Sequence, residues 1–179
     1  QATPFINTML KAVSRNDGVA ILDAAMAIED LKKPDRGDRK QARALNDEGL
    51  RLLKSNDWQQ AEAAFLRAAE WDPMDREIAG NLGFAYDKMA RIDDARVANM
   101  TAITIAPNQT TGWGGLGLAL AKAGRQDEAI AAFRLAYRFS KNQAKTAEHF
   151  RKLAEADTDQ KVREAAGKAL TFMASGSVN

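Results

Sequence analysis

Gly49, Gly83 and Gly117 stand 34 residues apart, and nothing else in this chain limits its fold as much. Ala61, Ala95 and Ala129 keep the same spacing, and so do Ala68, Ala102 and Ala136. Pro73 and Pro107 make a fourth series. Four series on one period mark a stacked repeat in which each unit is one supersecondary element. The scarcity of proline (4 in 179 residues) and the heavy use of alanine make that element helical. Each unit is expected to be two helices joined by a tight turn.

With Ala42, Arg76 and Thr110 as first places, the fourth, seventh, eighth and eleventh places of each first helix share one stripe. They are Leu45, Glu48, Gly49 and Leu52 in unit one; Ala79, Leu82, Gly83 and Tyr86 in unit two; Trp113, Leu116, Gly117 and Leu120 in unit three. Glycine at the eighth place lets the second helix come close, and alanine at the twentieth and twenty-seventh does so from the other side. Phe65 and Phe133 fill the remaining gap in units one and three. Proline then stops the second helix and turns the chain into the next unit.

The pattern of large residue, glycine, aromatic or leucine, alanine, aromatic, alanine and proline over residues 42–141 resembles the tetratricopeptide repeat (TPR) family. The departures are Glu48 for leucine, Asn99 for the aromatic of unit two, and Lys141 for the proline of unit three, with Asn142 as a cap for the next helix. The resemblance implies an all-α superhelix, a TPR solenoid of about ten helices. It divides the chain into an N-terminal helical pair and linker (1–38), three repeats (39–141; units 42–75, 76–109 and 110–143), and a C-terminal helical pair with a frayed tail (142–179).

The flanks read as caps, because the end units of a solenoid need a polar outer surface. Thr3 and Pro4 start a helix whose stripe is Phe5, Ile6, Met9, Leu10 and Val13. Asn16, Asp17 and Gly18 break it and cap a second helix carrying Ile21, Leu22, Ala25, Met26 and Ile28 as its apolar residues. The pair is repeat-like, but Arg15 stands where a zeroth repeat would need glycine. After unit three, one helix holds Ala147, Phe150 and Leu153. A last one holds Val162, Ala165, Ala166, Ala169, Leu170 and Met173, opposite Lys161, Glu164 and Lys168. Residues 174–179 are expected to fray.

Charge and chemistry narrow the function. Residues 1–41 carry 7 basic and 6 acidic groups, 42–141 carry 13 and 13, and 142–179 carry 6 and 5. No segment has the basic excess that phosphate binding needs, so nucleic acid is not an expected partner. There is no cysteine and a single histidine, His149, which reads as a surface or capping-helix residue. No metal site, cofactor or catalytic set is expected. Asp93–Asp94 and Asp127–Glu128 fall at the turns into second helices, where carboxylates favour the positive end of the helix dipole. The most apolar run, Gly112 to Ala123, is too short to span a membrane and holds four glycines. The start at Gln1 fits either a processed chain or a fragment, and mildly favours an envelope location.

A second face of each first helix lies about 140° from the buried stripe. In TPR proteins this face lines the concave groove that takes up peptides, so the resemblance implies a site here. Its expected residues are Asn46, Leu50 and Lys54 from unit one, Asn81, Phe84 and Lys88 from unit two, and Leu118 and Lys122 from unit three. Leu50, Phe84 and Leu118 form an apolar ladder beside a ladder of Lys54, Lys88 and Lys122. Such a face suits a segment with hydrophobic anchors and acidic neighbours. The carboxylate clamp of co-chaperone TPRs is missing: only Asn81 matches, and the other clamp places hold Asn46, Leu50, Thr111 and Gly115. The expected function is a non-catalytic protein- or peptide-binding scaffold, an adaptor or assembly factor of a bacterial envelope, secretion or pilus system. The alternative is a substrate-recruiting part of a larger multidomain protein or enzyme.

Overall fold

The structure is a computed structural model that describes residues 1–174. Of the tail expected to fray, residues 175–179 lie outside the described part. The described residues form ten helices and no strand. They are α1 (Thr3–Ser14), α2 (Gly18–Glu29), α3 (Arg39–Lys54), α4 (Trp58–Trp71), α5 (Arg76–Lys88), α6 (Ile92–Ile105), α7 (Thr110–Lys122), α8 (Gln126–Arg138), α9 (Gln143–Ala156) and α10 (Gln160–Ala174). Helices α3 with α4, α5 with α6 and α7 with α8 pair within units, and α4 on α5 and α6 on α7 stack the units into a solenoid. None of these helices is long and apolar enough to cross a membrane.

The close packing rests on the bare backbone at the eighth place. A Cβ built on Gly49 would lie 2.4 Å from the Phe65 ring, and one on Gly117 would lie 2.5 Å from the Phe133 ring. Both rings are fully buried. Trp113, the largest buried side chain, places its indole N–H 2.8 Å from the Pro107 carbonyl, so it is buried without an unmet donor.

The hinge inside each unit repeats to the residue. Asn56, Ala90 and Gly124 all have positive φ (59°, 57° and 80°) and are themselves 34 residues apart. The next residue's N–H bonds back to Leu52, Tyr86 or Leu120, and the hinge residue's own N–H to Leu53, Asp87 or Ala121. This paired closure satisfies the last carbonyls of each first helix. Asp57 then caps α4 by accepting from the Gln60 N–H. Asp93, Asp94, Asp127 and Glu128 do lie in the first turns of α6 and α8.

The N-terminal pair packs away from the head of the array. Helix α1 lies on α8, and both α1 and α2 touch α6, so the pair covers the outer helices of units two and three instead of preceding α3. Ile6, Met9, Leu10, Val13, Ile21 and Ile28 join Leu116, Leu120 and Phe133 in one core. Arg134 donates to Asn16 Oδ1 at 2.6 Å, and Asn108 to Glu29 at 3.0 Å. This docking divides the apolar residues of α2: Ile21, Ala25 and Ile28 are buried, but Leu22 and Met26 are 51% and 61% exposed. Only the face turned to α1 and α6 is covered, and those two residues point away from it.

The link back to α3 is fixed at one buried carboxylate. Asp72 receives Arg36 Nη2 at 3.0 Å and the Met74 N–H at 3.1 Å. Gly37 passes so close that a Cβ there would meet the Trp71 carbonyl oxygen at 1.8 Å. Burial opposes ionisation of Asp72, but the hydrogen bond from Arg36 and the N–H groups of Met74 and Gly37 prevail and hold it below the usual 3.8.

The hinge and the buried carboxylate can each be tested by substitution. Ala90→Gly should raise stability by about 1 kcal/mol in denaturant unfolding, because a side chain at positive φ is strained and glycine is not; Gly124→Ala should lower it. A depressed carboxylate stabilises above its unfolded pKa, and that contribution fades as pH falls through the folded value. Asp72→Asn should therefore cost about 1–3 kcal/mol at pH 7. The gap between variant and wild type should shrink as pH is lowered below 3.8.

Candidate functional site

The first helices present their second face to one concave side, and its two ends differ. Between α3 and α5 the face is closed by polar bonds. Asn81 Nδ2 donates to Asn46 Oδ1 at 2.8 Å, and Asn46 Nδ2 approaches Glu77 Oε1 at 3.4 Å. Arg43 joins Glu77 at 2.6 Å and Asp75 at 3.0 Å. Asn46 is fully buried within this network. Leu50 is half-buried against the core of unit one, and Lys54 is exposed at the end of α3.

Between α5, α7 and α9 the face opens into a hollow of about 530 Å³. Of the expected residues, Phe84, Lys88, Leu118 and Lys122 line it; Asn46, Leu50, Lys54 and Asn81 do not. Phe84 is 47% exposed, an uncommon state for so large an apolar side chain. The Lys88 ammonium lies 5.2 Å from the Phe84 ring centroid. Lys122 is held by Asp87 at 2.6 Å, so the third lysine of the ladder is already neutralised across α5 and α7.

The far wall comes from α9. Asn142 caps this helix by accepting from the Lys145 N–H at 2.9 Å. Phe150 is buried with its ring 4.9 Å from that of Phe133, which anchors α9 to α8. Helix α10 packs against α7, α8 and α9, while α9 makes no close backbone approach to α7, and the gap belongs to the hollow. Lys145, His149 and Leu153 line this wall. His149 is thus a groove residue on an exposed helix face. The signal that finds it is the register itself: Lys145 and His149 lie 34 residues after Thr111 and Gly115, although Lys141 replaces the expected proline.

The floor of the hollow is not evident from the repeat pattern. Asn99 stands where units one and three carry Phe65 and Phe133, and it is buried between Gly83 and Gly115. Gly80, Gly114 and Gly115 add no side chains above it, and a Cβ on Gly114 would meet nothing within 4 Å. The Asn99 amide lies against Gly83 as the Phe65 and Phe133 rings lie against Gly49 and Gly117, and it also meets Gly115.

Comparisons with known proteins agree with this architecture. A family model described as Tetratricopeptide repeat matches residues 111–143. No curated protein matches the chain in sequence. Solved structures do match in fold. The first TPR of Spaghetti (RPAP3), bound to the HSP90 peptide SRMEEVD, superposes with a TM-score of 0.60 at 14% identity, covering 79% of this chain and 99% of that one. The Arabidopsis OM64 TPR domain gives 0.58 at 16% identity, covering 74% and 97%. The Yersinia enterocolitica type III secretion chaperone SycD, in complex with a peptide of the translocator YopD, gives 0.58 at 15% identity, covering 74% and 91%.

Asn46→Ala should cost about 1–3 kcal/mol in thermal or denaturant unfolding, because it strips a partner from both Asn81 and Glu77. Lys54→Ala, on an exposed side chain, should change stability by less than about 0.5 kcal/mol.

Proposed function

We propose that this chain, a tetratricopeptide-repeat array in fold and in the sequence of its third unit, is a non-catalytic scaffold that holds a peptide segment of a partner protein. The hollow between α5, α7 and α9 is the proposed seat. The observation that carries this reading is Phe84: a half-exposed aromatic ring beside Leu118, at the mouth of a hollow whose size suits a ligand. A folded chain gains nothing from such a ring in water, whereas an interface does.

The rim suits an acidic or neutral segment. Lys88 and Lys145 have no carboxylate partner among the described residues, and Lys122 is matched by Asp87. The co-chaperone use of the groove finds little support. Asn81, the one matching clamp residue, is bonded to Asn46, and Leu50, Thr111 and Gly115 offer no charge. The likeness to a secretion chaperone holding a translocator peptide supports, by analogy of fold alone, an assembly or adaptor role in a bacterial secretion or envelope system.

The test is a photo-crosslinking residue in place of Phe84 in the whole chain, mixed with extract of the source cells, with a second probe in place of the exposed Trp71 as control. A species trapped at 84 and not at 71 should be lost when Phe84→Ala and Leu118→Ala are combined in an otherwise unmodified bait. The loss should be roughly thirty-fold, as for a pair of buried anchors. Lys122→Ala should weaken capture several-fold less. Undiminished capture by the double variant would move the site off this face.

A further inference from the structure

Helix α2 carries apolar residues on two opposite sides, and only one side is covered. Ile21, Ala24, Ala25 and Ile28 are buried on the side turned to α1 and α6. On the other side Val19, Leu22 and Met26 follow one another at helical spacing, in a stripe about two turns long. Val19 at 71% and Met26 at 61% are the two most exposed large apolar residues described. Single apolar residues on a surface are ordinary, but a helix that is apolar on both sides is one that is covered on both. We infer that the stripe of Val19, Leu22 and Met26 is a docking surface for a basic amphipathic helix of a partner protein.

Charge selects the occupant. Residues 17–30 hold four carboxylates, those of Asp17, Asp23, Glu29 and Asp30, and no lysine or arginine. At about 100° per residue, Asp23 and Asp30 fall on one edge of the stripe and Glu29 on the other, and all three are exposed. Asp17 accepts from the Ala20 N–H and Glu29 from Asn108, while Asp23 and Asp30 have no partner among the described residues. Lys32 and Lys33 follow the helix, and Lys33 is held by the Ile28 and Glu29 carbonyls. The α2 of a second copy would bring the same carboxylates and no cation of its own, so that pairing sets like charges together. An anionic bilayer is repelled for the same reason. An extended strand is not matched either, since a helix offers no open hydrogen-bonding edge. A second helix is matched: its apolar ridge packs between Leu22 and Met26, and lysines or arginines flanking that ridge meet Asp23 and Asp30.

The surface is rigid and separate from the groove. Ile21 and Ile28 hold α2 in the main core, and the Asn108–Glu29 and Arg134–Asn16 bonds fix its two ends. The partner therefore meets a helix already in place, which spares the cost of ordering one. No residue of α2 lines the hollow between α5, α7 and α9. The two surfaces also differ in sign, with Lys88 and Lys145 at the hollow and carboxylates along α2. Occupancy of α2 does not depend on whether the groove holds a segment.

The test titrates three synthetic helices into the full-length ¹⁵N-labelled chain. One has a leucine ridge flanked by lysines, one the same ridge flanked by glutamates, and one lysine flanks with serine in place of the ridge. The backbone amides of residues 19–30 report on the site. The lysine-flanked leucine helix should shift them saturably and bind there about ten-fold tighter than the glutamate-flanked one, with the advantage shrinking as salt is raised. The serine-ridge helix should leave them unmoved. Leu22→Ala combined with Met26→Ala, both at exposed positions, should weaken the lysine-flanked helix about ten- to thirty-fold. Asp23→Lys combined with Asp30→Lys should reverse the preference between the two leucine helices. Equal affinity for those two helices in the natural chain overturns the inference. So does the absence of saturable shifts at residues 19–30, or shifts confined to the groove residues. A dimer, or binding to phosphatidylglycerol vesicles, that is lost in the Leu22 and Met26 double variant assigns the stripe to a second copy or a membrane and equally overturns it. The natural chain decides alone if a variant misfolds.

Discussion

A ring laid on a bare α-carbon sets the dimensions of this molecule. Phe65 on Gly49 and Phe133 on Gly117 fix how near the second helix of a unit lies to the first. That spacing in turn fixes where the following first helix is placed, and so the curvature of the concave face. Any side chain at the eighth place would push against a ring that has no room to move in a close-packed interior. The positive-φ hinge makes the approach possible by reversing the chain in one step while satisfying the carbonyls of the helix it ends. Unit two keeps the glycine and the hinge, and the Asn99 amide lies there in place of the ring.

The two halves of the concave face have opposite character because of a few side chains. Toward α3, carboxamides and an arginine–carboxylate cluster bond to one another across the units, leaving little for a ligand to displace. Toward α9, glycines replace side chains and the rim lysines outnumber their carboxylate partners. Near-zero net charge over the repeats conceals this division, since it averages paired and unpaired groups alike. A face of constant register is therefore not a face of constant chemistry.

The parts legible in the sequence are those governed by local spacing. The 34-residue period located the glycine–ring contacts and the acidic first turns, since each depends on residues within one helical hairpin. Legibility failed where a neighbour distant in sequence decides the outcome. The apolar residues of α2 are evident, but only the docking of the N-terminal pair on α6 and α8 determines that Ile21 is buried and Leu22 is not. The same applies to the groove. Asn99 is plain as a departure from the repeat, but the burial of its amide between Gly83 and Gly115 depends on a helix of the next unit. His149 was hidden by the missing proline at Lys141, which masks the continuing register of α9.

The position of the N-terminal pair imposes an order on synthesis. Units of the array bury their apolar stripes against neighbours close in sequence, but α1 must wait for α8, and Asn16 meets Arg134 across 118 residues. At about 5–20 residues per second, the first helices emerge roughly 5–20 seconds before their seat exists. During that interval Ile6, Met9, Leu10 and Val13, all buried in the finished protein, have α2 beside them but not the α8 surface that completes their burial. The first of these helices to leave the ribosome is thus among the last to be housed, and the nascent chain carries an adhesive stretch ahead of the array that will cover it.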